Sequence, residues 1–289
     1  MTQGMNIFRS LFVVCLAIMV VACSQQVTSN TQERDNHWIK IDNFEPSSSL
    51  EKWTLIDTMN ETEPRIENPQ VTKILTTPAT NNRYLLKKPA AEEIVGNRKA
   101  LSFTELPVSI NVGEIYTYYA RINIESFPNN HVFGLSNLPP EGIIKNDYNS
   151  LEPSIRITDR FDNNENYQND GTLLVRKGGW YDRIYNDKTQ DYAKPMEVDT
   201  WYEVWSVVNN KPLSEGGQTY DVYIRGGQEF PDQQKVYTGA DFRMKRELPI
   251  THFYATCNSG PIGNPFGNGG LRYDDLYMAK GAKLTSPLD

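Results

Sequence analysis

The chain has 289 residues, 38% of them hydrophobic and 22% charged, with a formal net charge of −7. That length suits one large domain or two small ones, and 16 Tyr, 11 Phe and 5 Trp are too many for a disordered chain. The acidic balance argues against a nucleic-acid partner, which needs a basic field. Three Cys and three His are too few for a disulfide framework or a His/Cys zinc cluster.

Residues 1–22 carry one charge, Arg9, ahead of an unbroken apolar run from Leu11 to Ala22. This run is too short for a bilayer core of about 30 Å, which takes about 20 apolar residues, so it reads as a secretory signal peptide. It ends Val20-Val21-Ala22-Cys23, which resembles the bacterial lipobox. The resemblance implies cleavage after Ala22 and lipidation of Cys23. With Ser24 following, rather than Asp, it implies attachment to the outer membrane through the lipid alone. Acyl chains contribute about 0.8 kcal/mol per buried CH2, so such an anchor is effectively permanent. Residues 23–36 then form the lipidated cysteine and a polar tether, and residues 37–289 a single domain. Cys257 is left without a disulfide partner and reads as a small buried hydrophobe.

From Trp38 onward the chain reads as strands. The one helical candidate is the short stretch Ala90 to Val95. Tyr116 to Ile124 alternates with period two, placing Tyr118, Ala120, Ile122 and Ile124 on a buried face and Thr117, Tyr119, Arg121 and Asn123 on a wetted one. Ser154 to Thr158 puts Ile155 and Ile157 inside and Arg156 outside. Asn169-Asp170-Gly171 then supplies turn chemistry before the strand Thr172 to Lys177. Trp201 to Val208 and Thr219 to Arg225 read as a hairpin, and Thr251 to Cys257 and Leu271 to Ala279 complete the set. Short strands with Gly and Pro turns, and no alternation with helices, predict an all-β, two-sheet antiparallel sandwich.

Three segments carry a family resemblance: Trp38 to Glu45 followed by Trp53, the entry Asp199 to Trp205, and the close Gly269 to Tyr277. In that order they resemble the first strands, the central strand pair and the last strand of concanavalin A-like jelly rolls, the laminin-G/lectin/glucanase superfamily. The resemblance spans roughly residues 38–282 and implies a last strand that returns beside the first. It covers sugar-binding modules, glucanases, alginate-type lyases and adhesive domains, so fold alone leaves function open. It also implies a structural calcium ion (Ca2+) where the termini meet, for which Asp42, Asp274 and Asp275 are the candidate ligands.

Three functional readings follow. A polysaccharide-binding protein would use outward strand residues and loop aromatics: Tyr119, Arg121, Arg156, Arg176, Trp180 in its Gly178-Gly179 turn, and Tyr254. Tyr148, Tyr167 and Phe266 are further loop aromatics. A polyuronate lyase would need a cation to neutralise the uronate carboxylate and a Tyr or His to move the proton. Tyr119, Arg156 and His252 are its candidates, although the typical lyase strings are absent. The third reading is an adhesive or structural envelope protein. A glucanase reading of Glu197-Val198-Asp199-Thr200-Trp201-Tyr202-Glu203 is disfavoured. An extended chain separates Glu197 and Glu203 by on the order of 20 Å, where retaining hydrolysis needs about 5–5.5 Å.

Overall fold

The computed structural model describes residues 37–63, 65–92, 94–160 and 169–289. In chain order the strands are β1 (Ile39–Asp42), β2 (Thr54–Glu63), β3 (Val71–Thr76), β4 (Arg83–Lys88), β5 (Val95–Ile110), β6 (Ile115–Ile124) and β7 (Asn130–Ser136). The helix α1 (Pro140–Asn146) and a 3-10 turn (Asp147–Ser150) lead into β8 (Leu151–Thr158), β9 (Leu173–Lys177), β10 (Trp180–Arg183), β11 (Tyr185–Asn186) and β12 (Asp191–Tyr192). The chain closes with β13 (Trp201–Asn209), β14 (Thr219–Gly226), β15 (Phe230–Asp241), β16 (Ile250–Asn258) and β17 (Leu271–Lys280).

Two sheets form a sandwich of the jelly-roll kind. The first sheet runs β15-β14-β13-β6-β17-β4-β3 with β1 also paired to β17, and the second runs β10-β9-β8-β7-β16-β5-β2. The first strand therefore lies antiparallel to the last, with Ile39 opposite Met278, as the resemblance implied. The hairpin expected after Trp201 is β13–β14, paired from Tyr202↔Gly226 to Asn209↔Thr219.

Alternation decides which side chains meet between the sheets. Tyr118, Ala120, Ile122 and Ile124 of β6 join Phe133, Ile155, Val175, Phe253 and Tyr273 in one buried cluster. Tyr118 stacks on Phe253 at 5.7 Å between centroids, and Trp53 meets Phe253 edge-on at 5.6 Å. Such pairs contribute roughly 0.5–1.5 kcal/mol beyond the area they bury. Cys257 is fully buried. His131 also points inward, with Nε2 2.9 Å from the Gly269 carbonyl, and burial pushes its pKa down to about 3, so the imidazole stays neutral.

Three expectations are corrected. Ala90 to Val95 is no helix: Ala90 to Glu92 form a bend and turn, and β5 begins at Val95. The Asn268 side chain explains this, accepting from the Ala90 N–H and donating to the Ala90 carbonyl, which takes both groups out of any helical ladder. The true helix is α1, with Pro140 in its first turn. It covers an outer face of the second sheet, where Leu101, Phe103, Val132 and Tyr254 pack with Ile143 and Ile144. Finally, Thr117, Tyr119 and Asn123 are buried rather than wetted. The terminal segments cross that face: Trp38 packs on Tyr119 at 5.7 Å, Trp205 Nε1–H donates to the Thr285 carbonyl, and Ser286 Oγ–H donates to Glu203. The lipobox, Cys23 and the tether, like Tyr167, lie outside the described residues.

Among the side chains that join the sheets directly, one reaches two strands at once. Tyr220 of β14, 1% exposed, donates its phenol hydrogen to the Ser154 carbonyl of β8 and accepts the Arg176 N–H of β9 at 2.9 Å. Tyr220→Phe leaves a buried donor and acceptor unpartnered, each costing roughly 1–3 kcal/mol. Chemical denaturation of the variant is expected to show a lower midpoint at unchanged slope.

Candidate binding cleft

The outer face of the second sheet carries a cleft of about 410 Å3 beside α1. Its chemistry follows from strand alternation. Ile155, Ile157, Leu173 and Val175 go into the core, so Arg156 and Arg176 must point outward. Both are largely buried among their neighbours, at 4% and 9% exposure. Their guanidinium groups both lie over one ring, Tyr181, at 5.1 Å and 5.5 Å from its centroid. The tight Gly178-Gly179 connection sets this arrangement, because it puts Tyr181 directly opposite Arg176 in the β9–β10 pair.

The 3-10 turn after α1 supplies the other wall. Tyr148 has Lys99 5.5 Å and Arg243 6.0 Å from its ring centroid, while Arg243 Nε–H donates to Asn149 at 3.1 Å. Burial raises the Tyr148 phenol pKa, and Arg156 and Arg160 pull it partly back. Arg160 lies 4.7 Å over the Phe266 ring at the rim. Arg243 is placed by a buried carboxylate. Glu152 accepts the backbone N–H groups of Met244, Lys245 and Arg246 and pairs with the Arg246 guanidinium at 2.9 Å. Those bonds bind the 243–246 segment to β8. Among the described residues, five cations (Lys99, Arg156, Arg160, Arg176 and Arg243) line the cleft and no carboxylate does.

Of the residues singled out from the sequence, Arg156, Arg176 and the loop aromatic Tyr148 come together here. Trp180 is next to the cleft and 51% exposed, but its neighbour Tyr181 is the ring that lines it. Tyr254 does lie on the same sheet face, yet α1 covers it completely. His252 sits further along β16, on the order of 20 Å of extended strand from the cleft residue Asn258. There its Nδ1 is 2.8 Å from the Thr251 hydroxyl, and burial lowers its pKa. Tyr119 and Arg121 belong to the other sheet. Tyr119, Arg156 and His252 therefore do not converge. Glu197 and Glu203 are also apart in function: Glu197 accepts the Gln228 N–H, while Glu203 accepts from Tyr119 and pairs with Arg225. Tyr181, Lys99, Arg160 and Arg243 were not singled out. For Tyr181 the signal existed, since a two-glycine turn dictates its partner across the hairpin.

No protein-family model and no curated protein matches the chain. Solved structures do resemble it in chain trace. Lectin II from Ulex europaeus is 7% identical, with a TM-score of 0.48 over 85% of this chain and 99% of the lectin. A β-glucanase catalytic domain from Podospora anserina is 11% identical, with a TM-score of 0.45 over 76% of this chain and 88% of that one. The marine alginate lyase from Aplysia kurodai is 14% identical, with a TM-score of 0.45 over 74% and 87%.

The expected calcium ligands do not form a site. Asp42 accepts the Phe44 N–H at 3.0 Å and the Trp53 Nε1–H at 3.1 Å. Asp274 and Asp275 both face Arg121 instead, at 3.5 Å and 2.9 Å. Simple alternation would have sent them to opposite faces. A bulge in β17, with Asp275 at φ 49°, turns both the same way. Arg121 in turn lies 4.8 Å over the Trp201 ring. Among the described residues, no group of three or more His, Cys, Asp or Glu is placed to hold a metal ion.

Burial, and then the Asp275 charge, raise the Asp274 pKa from 3.8 to about 7, against the pull of Asn82 and Arg121. The folded state thus binds a proton that the unfolded chain has released, and stability falls as pH rises from about 4 to about 7, then levels off. Asp274→Asn is expected to flatten that fall. Thermal melts of both proteins across the window check it.

Proposed function

We propose that this protein is a lipoprotein, anchored in the outer membrane through Cys23, that binds polysaccharide in the cleft on the second sheet, without committed catalysis. The observation that carries the binding is the pairing of two tyrosine rings, Tyr148 and Tyr181, with arginine and asparagine donors on one open sheet face. Aromatic faces accept pyranose C–H surfaces, and guanidinium and amide groups donate to ring substituents in fixed directions. An arrangement of a few convergent polar groups around apolar surface is the general form of a ligand site. The cleft residues support the reading for this chain on their own.

Binding without catalysis is preferred because, among the described residues, Tyr119, Arg156 and His252 lie apart and Glu197 and Glu203 are engaged separately. In affinity gels cast with a panel of glycans, the protein is expected to be retarded by at least one. Tyr181→Ala and Tyr148→Ala should each weaken that retardation by about tenfold, or roughly 1.4 kcal/mol. Trp180→Ala, outside the cleft, should leave it nearly unchanged. Failure of every glycan to retard the protein would count against the proposal.

A further inference from the structure

We infer that the protein has a second ligand site, for a neutral, mainly apolar small molecule bearing one hydrogen-bond acceptor, where the β14–β15 turn meets the segment before β13. A cleft of about 510 Å3 lies there, walled by that turn, that segment and the β11–β12 hairpin. Small-molecule pockets span about 300–1,000 Å3. This cleft shares no lining residue with the one on the second sheet and stands apart from glycan binding. Its floor comes from the core. Met196, Tyr202, Ile224 and Phe230 belong to the buried cluster between the sheets. Pro195 and Pro231, both exposed, add rigid apolar surface at the mouth.

The walls are fixed by hydrogen bonds. Glu229 accepts the Asn186 Nδ2–H at 3.0 Å and the Lys194 N–H at 2.9 Å, and Glu197 accepts the Gln228 N–H at 2.9 Å. These bonds tie the β14–β15 turn to β11 and to the segment before β13. The polar group of the ligand follows from one phenol. Tyr202, 3% exposed, accepts the Glu197 N–H at 3.0 Å, and its own hydrogen has no acceptor among the described residues. A buried hydroxyl is costly while its hydrogen goes unused. Gly227, at φ 62°, keeps the turn clear of this phenol, since a Cβ there would collide with the phenol oxygen. A ligand acceptor in the cleft would take that hydrogen. Burial, then the Glu197 and Glu229 charges, raise the phenol pKa against the pull of the Glu197 N–H. The group thus stays a donor, and the same two carboxylates repel an anionic ligand. Lys188 and Lys194 stand exposed at the mouth, and Lys188 is already paired with Asp232 at 3.3 Å.

The test is equilibrium dialysis of the full-length protein against naphthalene, 2-acetylnaphthalene and 2-naphthoate, which share one apolar body. The ketone is expected to bind most tightly, about fivefold better than naphthalene, as one net hydrogen bond provides. It should also bind better than the anion. Tyr202→Phe should abolish the advantage of the ketone and leave naphthalene binding unchanged, a pattern that a purely structural hydroxyl would not produce. Thr189→Trp, at the mouth, should weaken both neutral probes about tenfold at unchanged melting temperature. That variant and the native ratio decide the outcome if Tyr202→Phe does not fold. Absence of binding by the neutral probes overturns the site, as does undiminished binding to Thr189→Trp. Equal binding of ketone and naphthalene, a preference that survives Tyr202→Phe, or tighter binding of 2-naphthoate overturns the ligand class.

Discussion

The phenol of Tyr220 is the point at which fold and cleft become one problem. It is buried between the sheets, rooted in β14, and bonded to the backbones of both β8 and β9. Those two strands carry Arg156 and Arg176. The spacing of the two arginines therefore depends on a contact on the opposite side of their own sheet. At that depth the hydroxyl has both its donor and its acceptor roles used. Having been bonded there, it keeps the second sheet from sliding on the first, which hydrophobic contact alone, being non-directional, would resist less well.

Strand placement was readable because period-two alternation is strong where one face is buried. β6, β8, β9, β13, β14, β16 and β17 all have sequences in which the inward set is evident. What alternation does not convey is the covering of an outward face. Tyr119 and Tyr254 both point out of the sandwich, as the pattern requires, and both are buried all the same. The cover over Tyr254 is α1, too short for helical periodicity, although Pro140 at its start and Lys145 in its last turn are helix-end chemistry. Leu101 and Phe103, on the outward face of β5, pack under the same cover. The bulge at Asp274 and Asp275 was beyond reach because one left-handed residue reverses a face without any change of composition.

The cleft was half legible. Arg156 and Arg176 follow from alternation, and Tyr181 follows from the two-glycine turn. Lys99 and Arg243 come from segments far apart in sequence, brought in by β5 pairing and by the nest of N–H donors around Glu152. That nest is a buried negative charge whose bonds serve geometry: the carboxylate secures the segment from which Arg243 reaches the cleft. The same division appears at Arg121, where a half-buried cation answers two carboxylates whose pairing in sequence suggested a metal. In both places a charge that is costly to bury alone is held by several bonds.

The two outer faces of the sandwich have opposite fates, and this bears on how the domain can be mounted. Trp38 and Lys283, with a 5.8 Å contact between them, lie with Ser286 and Asp289 on the face of the first sheet. The cleft opens on the other. Any attachment made through either described end, to a surface or to a fused domain, thus joins the molecule from behind. The cleft is left clear of both described ends.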